Sequence, residues 1–314
     1  MTLTGHAQPG SPPPAAADRG IGIWVGFSAL VTLLVGALFV IIVMPEAPSS
    51  AIPSRGAPAA PGSSQTPTAS PTPSPTPTPR VEPADSPLQK LGLSATQCPD
   101  FTVRRSAVPR DELEGYLNEV LDCLTLTHRQ AFADAGLTLS RPSLHPETAM
   151  NQSRCITDNT SDDWAGLYCG ADEAIYFRPD WAPDDPVFLV DVMAHEYAHH
   201  LQELTGILAP VSEDQLAAKD EPNGEIRSQE LSRRVELQAE CVAGVLTRPA
   251  GPLGVRQTDF DSLVWARASV PPEWAATHGS GRAQRRWFQT GADSKGPEHY
   301  RQCNTFTVPA DQVE

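Results

Sequence analysis

The sequence has few basic residues relative to acidic ones, and this imbalance limits what the protein can bind. Its 314 residues include 23 lysines and arginines against 38 aspartates and glutamates, for a formal net charge of −15. Charges of the two signs cancel within residues 1–90, so the whole negative balance belongs to residues 91–314. An acidic domain of this kind would repel nucleic-acid phosphates and anionic lipid headgroups. The composition therefore argues against nucleic acid as a partner and fits one secreted-type globule of roughly 200 residues.

Cysteine is absent from residues 1–90, and no CxxC pair occurs anywhere in the chain. Cysteine zinc sites usually contain such pairs, so metal ligation by the six cysteines is the weaker alternative. Their even number predicts three disulfides formed in an oxidising compartment. Cys155 and Cys169 bracket a polar loop that one bridge would close. Disulfides would place residues 91–314 outside the cytoplasm.

Charged residues are missing from residues 21–44, IGIWVGFSALVTLLVGALFVIIVM. As a helix this segment would be long enough to cross a bilayer core of about 30 Å. A cleaved signal peptide is the alternative, but its apolar region is normally only about 7–15 residues long. We therefore predict an uncleaved transmembrane anchor with residues 1–20 in the cytoplasm. This orientation rests on the disulfides, because the flanking charges are nearly balanced.

Apolar patterning is missing from residues 45–90. Residues 1–90 together contain 17 of the 32 prolines. Repeated Thr-Pro and Ser-Pro pairs favour extended polyproline II structure, and nothing in the segment can bury an apolar face. We predict a disordered linker that holds residues 91–314 away from the membrane. The segment could be a spacer across a cell wall or a plain disordered linker, and both alternatives predict the same behaviour.

The stretch DVMAHEYAHHLQ, residues 191–202, contains three histidines and two carboxylates and is predicted to lie on a helix. Asp185 can cap the start of that helix, and Pro186 suits its first position. Gly206 provides a natural stop after it.

Within this helix His195 and His199 are four residues apart, so both imidazoles project from one face. Glu196 lies one step round the helix and completes an HExxH motif, which supplies two zinc ligands and a carboxylate beside an open coordination position. His200 is out of register for the same metal, and we expect it in a supporting or surface position. An HExxH would occur by chance in about one chain of this length in a hundred, so the motif alone is only moderately specific for zinc. The prediction of a zinc site therefore needs a third ligand elsewhere in the chain.

A second predicted helix, RRVELQAECVAG at residues 233–244, offers the third ligand. Glu236 and Glu240 share one face among apolar residues, where two carboxylates would repel each other unless a cation lay beside them. Zinc bound by Glu236, with Glu240 accepting the spare N–H of a ligand histidine, would remove that repulsion. An ordinary solvated glutamate pair is the alternative. Two histidines and one glutamate would leave one position open, as in catalytic zinc sites.

Four blocks of the sequence resemble the bacterial neutral zinc metallopeptidases, a membrane-anchored family with gluzincin-like ligands. The blocks are LYCGADEAIYF (167–177), VMAHEYAHHLQ (192–202), VELQAECVAG (235–244) and THGSGRAQRRWFQTGADS (277–294) followed by CNTF (303–306). The resemblance implies a zincin-like domain with His195, His199 and Glu236 as zinc ligands and Glu196 as the catalytic carboxylate. The family usually has Asp where this chain has Glu240, so the contact with a ligand histidine must accommodate one extra methylene.

The resemblance also suggests a bridge between Cys241 and Cys303, which would tie the end of the second helix to the C-terminal tail. With Cys155 and Cys169 paired, Cys98 and Cys123 remain for the third bridge.

We expect a mainly helical α+β fold for residues 91–314, with an active-site helix and a small sheet at its edge. Residues 110–135 show helical spacing and are predicted to form a packing scaffold. The strand predicted at 174–177 could form the upper edge of a substrate cleft or a core strand pinned by a disulfide.

A C-terminal helix is predicted to start at Ser280 and to pack Trp287 and Phe288 against the core. His278, His299 and Tyr300 could each stabilise an oxyanion, and no such role is assigned to any of them.

Two functions of different classes fit these features. The first is a membrane-anchored, extracytoplasmic zinc endopeptidase that acts on peptides or proteins, with Glu196 as general base. The second is a non-catalytic surface binding module that retains the same fold. A site that had lost catalysis could keep its metal ligands but would have little reason to keep Glu196. The presence of Glu196 therefore favours the enzyme. Amidase action on cell-wall peptide would use the same chemistry, and the sequence does not separate it from proteolysis.

Overall fold

A computed structural model of the chain describes residues 80–93, 98, 100–147, 153–155, 164–180 and 185–314. The predicted cytoplasmic segment, the anchor predicted at 21–44 and the linker up to residue 79 lie outside the described residues. Within the described part, no helix is both long and apolar enough to cross a bilayer.

The described residues form the expected mainly helical α+β fold with one small sheet. The helices are α1 (Arg110–Asp134), α2 (Pro186–Leu204), α3 (Leu208–Ala218), α4 (Gly224–Thr247), α5 (Gln257–Arg267), α6 (Ala275–His278) and α7 (Gly281–Ala292). The strands are β1 (Ser143–Pro146), β2 (Gly166–Cys169) and β3 (Ala174–Phe177). Short 3-10 helices cover Pro83–Asp85, Pro87–Lys90, Pro272–Trp274, His299–Cys303 and Ala310–Val313. The helix predicted over 110–135 is confirmed as α1.

Helix α2 begins and ends where its sequence predicts. The Asp185 carboxylate accepts hydrogen bonds from the backbone amides of Val187 and Phe188, each at 3.0 Å, which satisfies two donors that a helix start leaves unpaired. Gly206 has a positive φ of 75° just after the helix, a conformation that glycine adopts without strain. Apolar residues recur around most of α2, so the helix lies within the core and carries its histidines into the interior.

Helix α4 packs against α2, α3, α6 and α7. Its crossing with α7 is close because each helix has a glycine at the contact. A Cβ atom on Gly244 would lie 2.0 Å from the carbonyl oxygen of Phe288, and one on Gly291 would lie 1.8 Å from that of Cys241. This close crossing buries Phe288 completely and Trp287 almost completely, as the sequence predicts.

The three strands form a sheet in the order β1-β3-β2. Strand β3 pairs in parallel with β1, from Ser143 opposite Ala174, and in antiparallel with β2, from Gly166 opposite Phe177. Of the two alternatives for residues 174–177, the open edge is excluded and the core strand is confirmed, because β3 has a neighbour on both sides and its four residues are buried. The edge that packs against α2 is β2, which the sequence did not mark as a separate strand.

Residues 80–90 do not belong to an extended linker, which corrects the predicted boundary at residue 90. Pro83 and Pro87 each begin a 3-10 helix, and Leu88 is fully buried in the main core. The Ser86 hydroxyl donates to the carbonyl oxygen of Thr205 at 3.0 Å. The high proline content of this region concealed the apolar side chains that attach it to the domain.

The structure contains the three disulfides Cys98–Cys123, Cys155–Cys169 and Cys241–Cys303, which are the pairs that the sequence predicts. The bridge at Cys169 fastens a loop to β2, and the bridge at Cys241 fastens α4 to the 3-10 helix His299–Cys303. Each of these bridges therefore fastens an element that packs against α2, since β2 and α4 both contact that helix.

Candidate metal centre

Helices α2 and α4 lie side by side and bring His195, His199 and Glu236 together. The Nε2 atoms of His195 and His199 are 3.2 Å apart. The Oε2 atom of Glu236 lies 3.2 Å from Nε2 of His195 and 3.4 Å from Nε2 of His199. The three side chains are 12–20% exposed, so the cluster is open to solvent on one side.

These distances fit a tetrahedral zinc site. A zinc ion with bonds of about 2.0–2.1 Å to tetrahedral ligands holds the ligand atoms about 3.3–3.4 Å apart. The three measured separations of 3.2, 3.2 and 3.4 Å form one face of such a tetrahedron. The donor set of two imidazole nitrogens and one carboxylate oxygen suits zinc and leaves the fourth position for another ligand.

The second nitrogen of each imidazole faces an acceptor outside the cluster. Nδ1 of His199 lies 2.8 Å from Oε1 of Gln202, and Nδ1 of His195 lies 3.4 Å from Oε1 of Glu240. The Gln202 amide is held in turn, because its Nε2 donates to the carbonyl oxygen of Val235 on α4 at 2.9 Å. Such acceptors favour the tautomer that carries its proton on Nδ1 and leaves Nε2 free to bind a metal.

Glu196 points from α2 toward the edge strand β2. Its Oε2 accepts a hydrogen bond from the backbone amide of Tyr168 at 2.8 Å. Gly166 permits this approach, because a Cβ atom there would lie 2.8 Å from Cγ of Glu196 and 2.7 Å from a methyl group of Val192. The carboxylate therefore lies next to the histidine pair along α2 and in contact with the strand edge.

The comparison with known proteins agrees with this geometry. Residues 89–261, more than half of the chain, match the family described as "Putative neutral zinc metallopeptidase". The chain belongs to this family. The matched range includes both metal-site helices, α2 and α4, and ends within α5.

Two relatives illustrate how far the likeness extends. The uncharacterized protein YpfJ of Escherichia coli (strain K12) is 31% identical over 226 residues, which cover 64% of this chain and 75% of the relative. The uncharacterized protein Rv2575 of Mycobacterium tuberculosis (strain H37Rv) is 26% identical over 182 residues, which cover 47% of this chain and 57% of the relative. No solved structure matches the chain significantly.

The electrostatics of the cluster favour a cation. Burial opposes ionisation of Glu236, but the charges of His199 and His278 and the hydrogen bond from His195 outweigh it and lower the pKa of Glu236 well below its ordinary value. Burial likewise opposes protonation of His195, yet its contacts with Glu236 and Glu240 raise the pKa of His195 well above the ordinary value. A divalent cation would replace these protons, so metal binding should weaken as the pH falls.

A buried arginine lies behind Glu240. Nε of Arg267 donates to Oε2 of Glu240 at 2.6 Å, and Nη2 donates to both carboxylate oxygens of Asp191 at 3.0 Å. Burial opposes ionisation of Glu240, but the charge of Arg267 and the contact with His195 lower its pKa to about 2. Sequence reasoning missed Arg267 and Asp191, because the arginine is 27 residues from Glu240 on a different helix.

The other histidines and the tyrosine considered above lie in different surroundings. His200 is fully buried, which excludes the surface alternative, and its ring nitrogens contact the Tyr168 hydroxyl and the Ser140 carbonyl oxygen. Nδ1 of His299 accepts from the backbone amide of Leu93, and the Tyr300 hydroxyl contacts Nε2 of His128.

His278 differs from these residues because it is near the cluster. Its Nε2 lies 3.8 Å from Oε2 of Glu236, and its side chain is 41% exposed.

Proposed function

We propose that the protein is a zinc-dependent endopeptidase of the zincin type, anchored in the cell membrane with its catalytic domain outside the cytoplasm. The observation that carries this proposal is the triangle of His195, His199 and Glu236, whose sides match one face of a tetrahedral zinc site. Three protein ligands leave one position open, which is the arrangement of catalytic zinc rather than structural zinc. Membership of a zinc metallopeptidase family supports the same conclusion.

His195, His199 and Glu236 hold the metal, and Glu196 is the acid–base group. Zinc in such a site supplies a Lewis acid and lowers the pKa of water. Glu196 takes a proton from the attacking water at a carboxylate oxygen and later gives it to the nitrogen of the departing amine. Glu240 and Gln202 orient the two histidines through Nδ1.

Strand β2 lies next to Glu196 and helps to position its carboxylate. Within the described sheet β2 is paired on one side only, with β3, and its other edge faces α2 and the Glu196 carboxylate. The Tyr168 amide of this edge donates to the Glu196 carboxylate at 2.8 Å, so the strand orients the acid–base group beside the ligand histidines. Gly166 allows this edge to lie close to the helix, and the disulfide at Cys169 fastens the strand to the loop at Cys155.

The cellular placement is part of the same proposal. Three disulfides are favoured in an oxidising compartment, which supports a position outside the cytoplasm. Residues 21–44 supply the anchor, and the proline-rich stretch that follows them separates it from the catalytic domain. The negative charge of residues 91–314 argues against nucleic acid as a partner.

Hydrolysis of an unbiased peptide library by the full-length protein in detergent tests this proposal. We expect cleavage in the presence of zinc, its loss after treatment with a chelator, and its return when zinc is restored. His199→Ala, prepared in the same way, is the control for contaminating proteases and should remain inactive with zinc. Absence of cleavage by zinc-replete wild type would favour the non-catalytic binding module instead.

A further inference from the structure

The two oxygens of Glu240 contact different partners. Oε1 lies 3.4 Å from Nδ1 of His195, while Oε2 accepts a hydrogen bond from Nε of Arg267 at 2.6 Å. The carboxylate therefore lies between the ligand histidine and the guanidinium group. Because Arg267 holds one oxygen, the other oxygen faces Nδ1 of His195, a buried nitrogen that has no hydrogen-bond partner in the described structure.

The guanidinium group of Arg267 is itself held from several sides. Its Nη2 donates to both oxygens of Asp191, and its Nη1 donates to the carbonyl oxygen of Leu263 at 3.1 Å. Its Cζ lies 3.4 Å above the ring of Phe288, and the residue is only 6% exposed. A planar group held at three nitrogens and stacked on a ring has no freedom to rotate, so it is a rigid reference for Glu240.

Arg267 also links the two helices that carry the candidate metal site. Asp191 is on α2, four residues before His195 and therefore one turn away on the same helix. Glu240 is on α4, one turn after Glu236. Arg267, the last residue of α5, bonds both carboxylates and so fixes the position of α2 and α4 relative to each other. Without the guanidinium, two buried carboxylates would face each other with no cation between them.

We propose that Arg267 is a positioning residue of the metal centre, which acts through Glu240 to hold the His195 imidazole with Nδ1–H toward Glu240 and Nε2 toward the metal. This inference rests on the proposed zinc site but not on peptidase activity. A merely structural role for Arg267 would stabilise the fold without any dependence on Glu240. The positioning role requires the two residues to act as one unit on metal affinity.

The test is a double-mutant cycle on zinc affinity, measured by competition with a chromophoric chelator on the full-length protein. The variants are Arg267→Met, Glu240→Gln and the double substitution, with unfolding of each metal-free protein measured in parallel. Partners of metal-bound histidines typically contribute about 10–100-fold in metal affinity. We expect each single variant to lose affinity in this range and the double variant to lose no more than the larger single loss.

Two further variants make the result specific. Arg256 lies just before α5 and pairs with Asp259 in the first turn of that helix. Arg256→Met removes this positive charge and should leave zinc affinity unchanged. Arg267→Lys keeps the charge but cannot span both carboxylates, so its zinc affinity should lie between wild type and Arg267→Met. If Arg267→Met does not fold, the cycle is run with Arg267→Lys.

Three outcomes would overturn the inference or separate it from the proposed function. Unchanged zinc affinity in a folded Arg267 variant, or losses that simply add in the double variant, would show that Arg267 only stabilises the fold. Wild type that binds zinc, shows the expected coupling and cleaves no peptide would support Arg267 and contradict the endopeptidase. Wild type that binds no zinc would overturn both.

Discussion

Each histidine of the candidate metal centre has one ring nitrogen in the cluster and the other facing a neighbouring side chain. The histidine pair could be predicted because His195 and His199 are four residues apart. The same spacing made the pair of Glu236 and Glu240 predictable. The spacing also shows why His200, although adjacent, points elsewhere: it contacts Tyr168 and Ser140 rather than the cluster. Gln202 could have been found in the same way, since it lies three residues after His199 on one helix face.

We predict that His199→Ala loses bound zinc while His200→Gln retains it. His199 supplies one corner of the ligand triangle, whereas no described contact joins His200 to that triangle. Elemental analysis of both full-length proteins, purified side by side without added chelator, measures the difference. Full zinc content in His199→Ala would show that the ligand assignment is wrong.

Contacts between elements were harder to predict than the elements themselves. Helix α2 is marked in the sequence by Asp185, Pro186 and Gly206, which act locally at its ends. The pairing of strands is non-local, so the sequence did not show that β3 lies between β1 and β2 or that β2 forms the edge beside Glu196. For the same reason the arginine on α5 that bonds Glu240 left no local signal.

At the crossing of α4 and α7, we predict that Gly291→Ala destabilises the protein by at least about 1–3 kcal/mol, the usual cost of overpacking. Its added Cβ would lie 1.8 Å from the carbonyl oxygen of Cys241, so the two helices would have to separate.

Gly115→Ala is the matched control on α1. Gly115 is exposed in the second turn of α1 with nothing within 4 Å of an added Cβ, so this substitution should stabilise the protein by about 0.5–1 kcal/mol. Chemical unfolding of both variants measures the two free energies. Equal effects of the same sign would contradict the close crossing.

The packed part of the molecule is larger than the sequence indicated and contains a buried histidine away from the metal centre. Residues 83–90 pack against the core, although their proline content resembles that of the preceding segment, for which a linker is predicted. His128 is fully buried on α1, with Nδ1 2.6 Å from the Leu124 carbonyl oxygen and Nε2 2.5 Å from the Tyr300 hydroxyl. Both contacts suit a neutral imidazole, and burial lowers the pKa of His128 to about 4.

We predict that His128 makes the whole protein less stable as the pH falls below about 6.5, the ordinary histidine pKa. The unfolded chain then binds a proton that the folded protein excludes, so this contribution is fully present above pH 6.5 and is lost as the pH falls toward 4. The loss should reach about 2 kcal/mol by pH 5.

Unfolding of wild type and His128→Gln at pH 7, 6 and 5 isolates this contribution. The variant should start from a lower stability and show a shallower pH dependence than wild type. Identical slopes for the two proteins would show that His128 takes up its proton equally well in the folded state.

The most direct measurement is the rate of peptide hydrolysis by zinc-loaded Glu196→Gln compared with zinc-loaded wild type, on a peptide that the wild type cleaves. The amide is nearly the same size as the carboxylate and is not a metal ligand, so fold and zinc content should be unchanged. It cannot accept the proton of the attacking water, and general acid–base catalysis of this kind contributes about two to four orders of magnitude in rate. We therefore expect full zinc occupancy with hydrolysis reduced by that factor. Hydrolysis by Glu196→Gln at the wild-type rate, with zinc bound, would contradict a zinc peptidase that uses Glu196 as its general base.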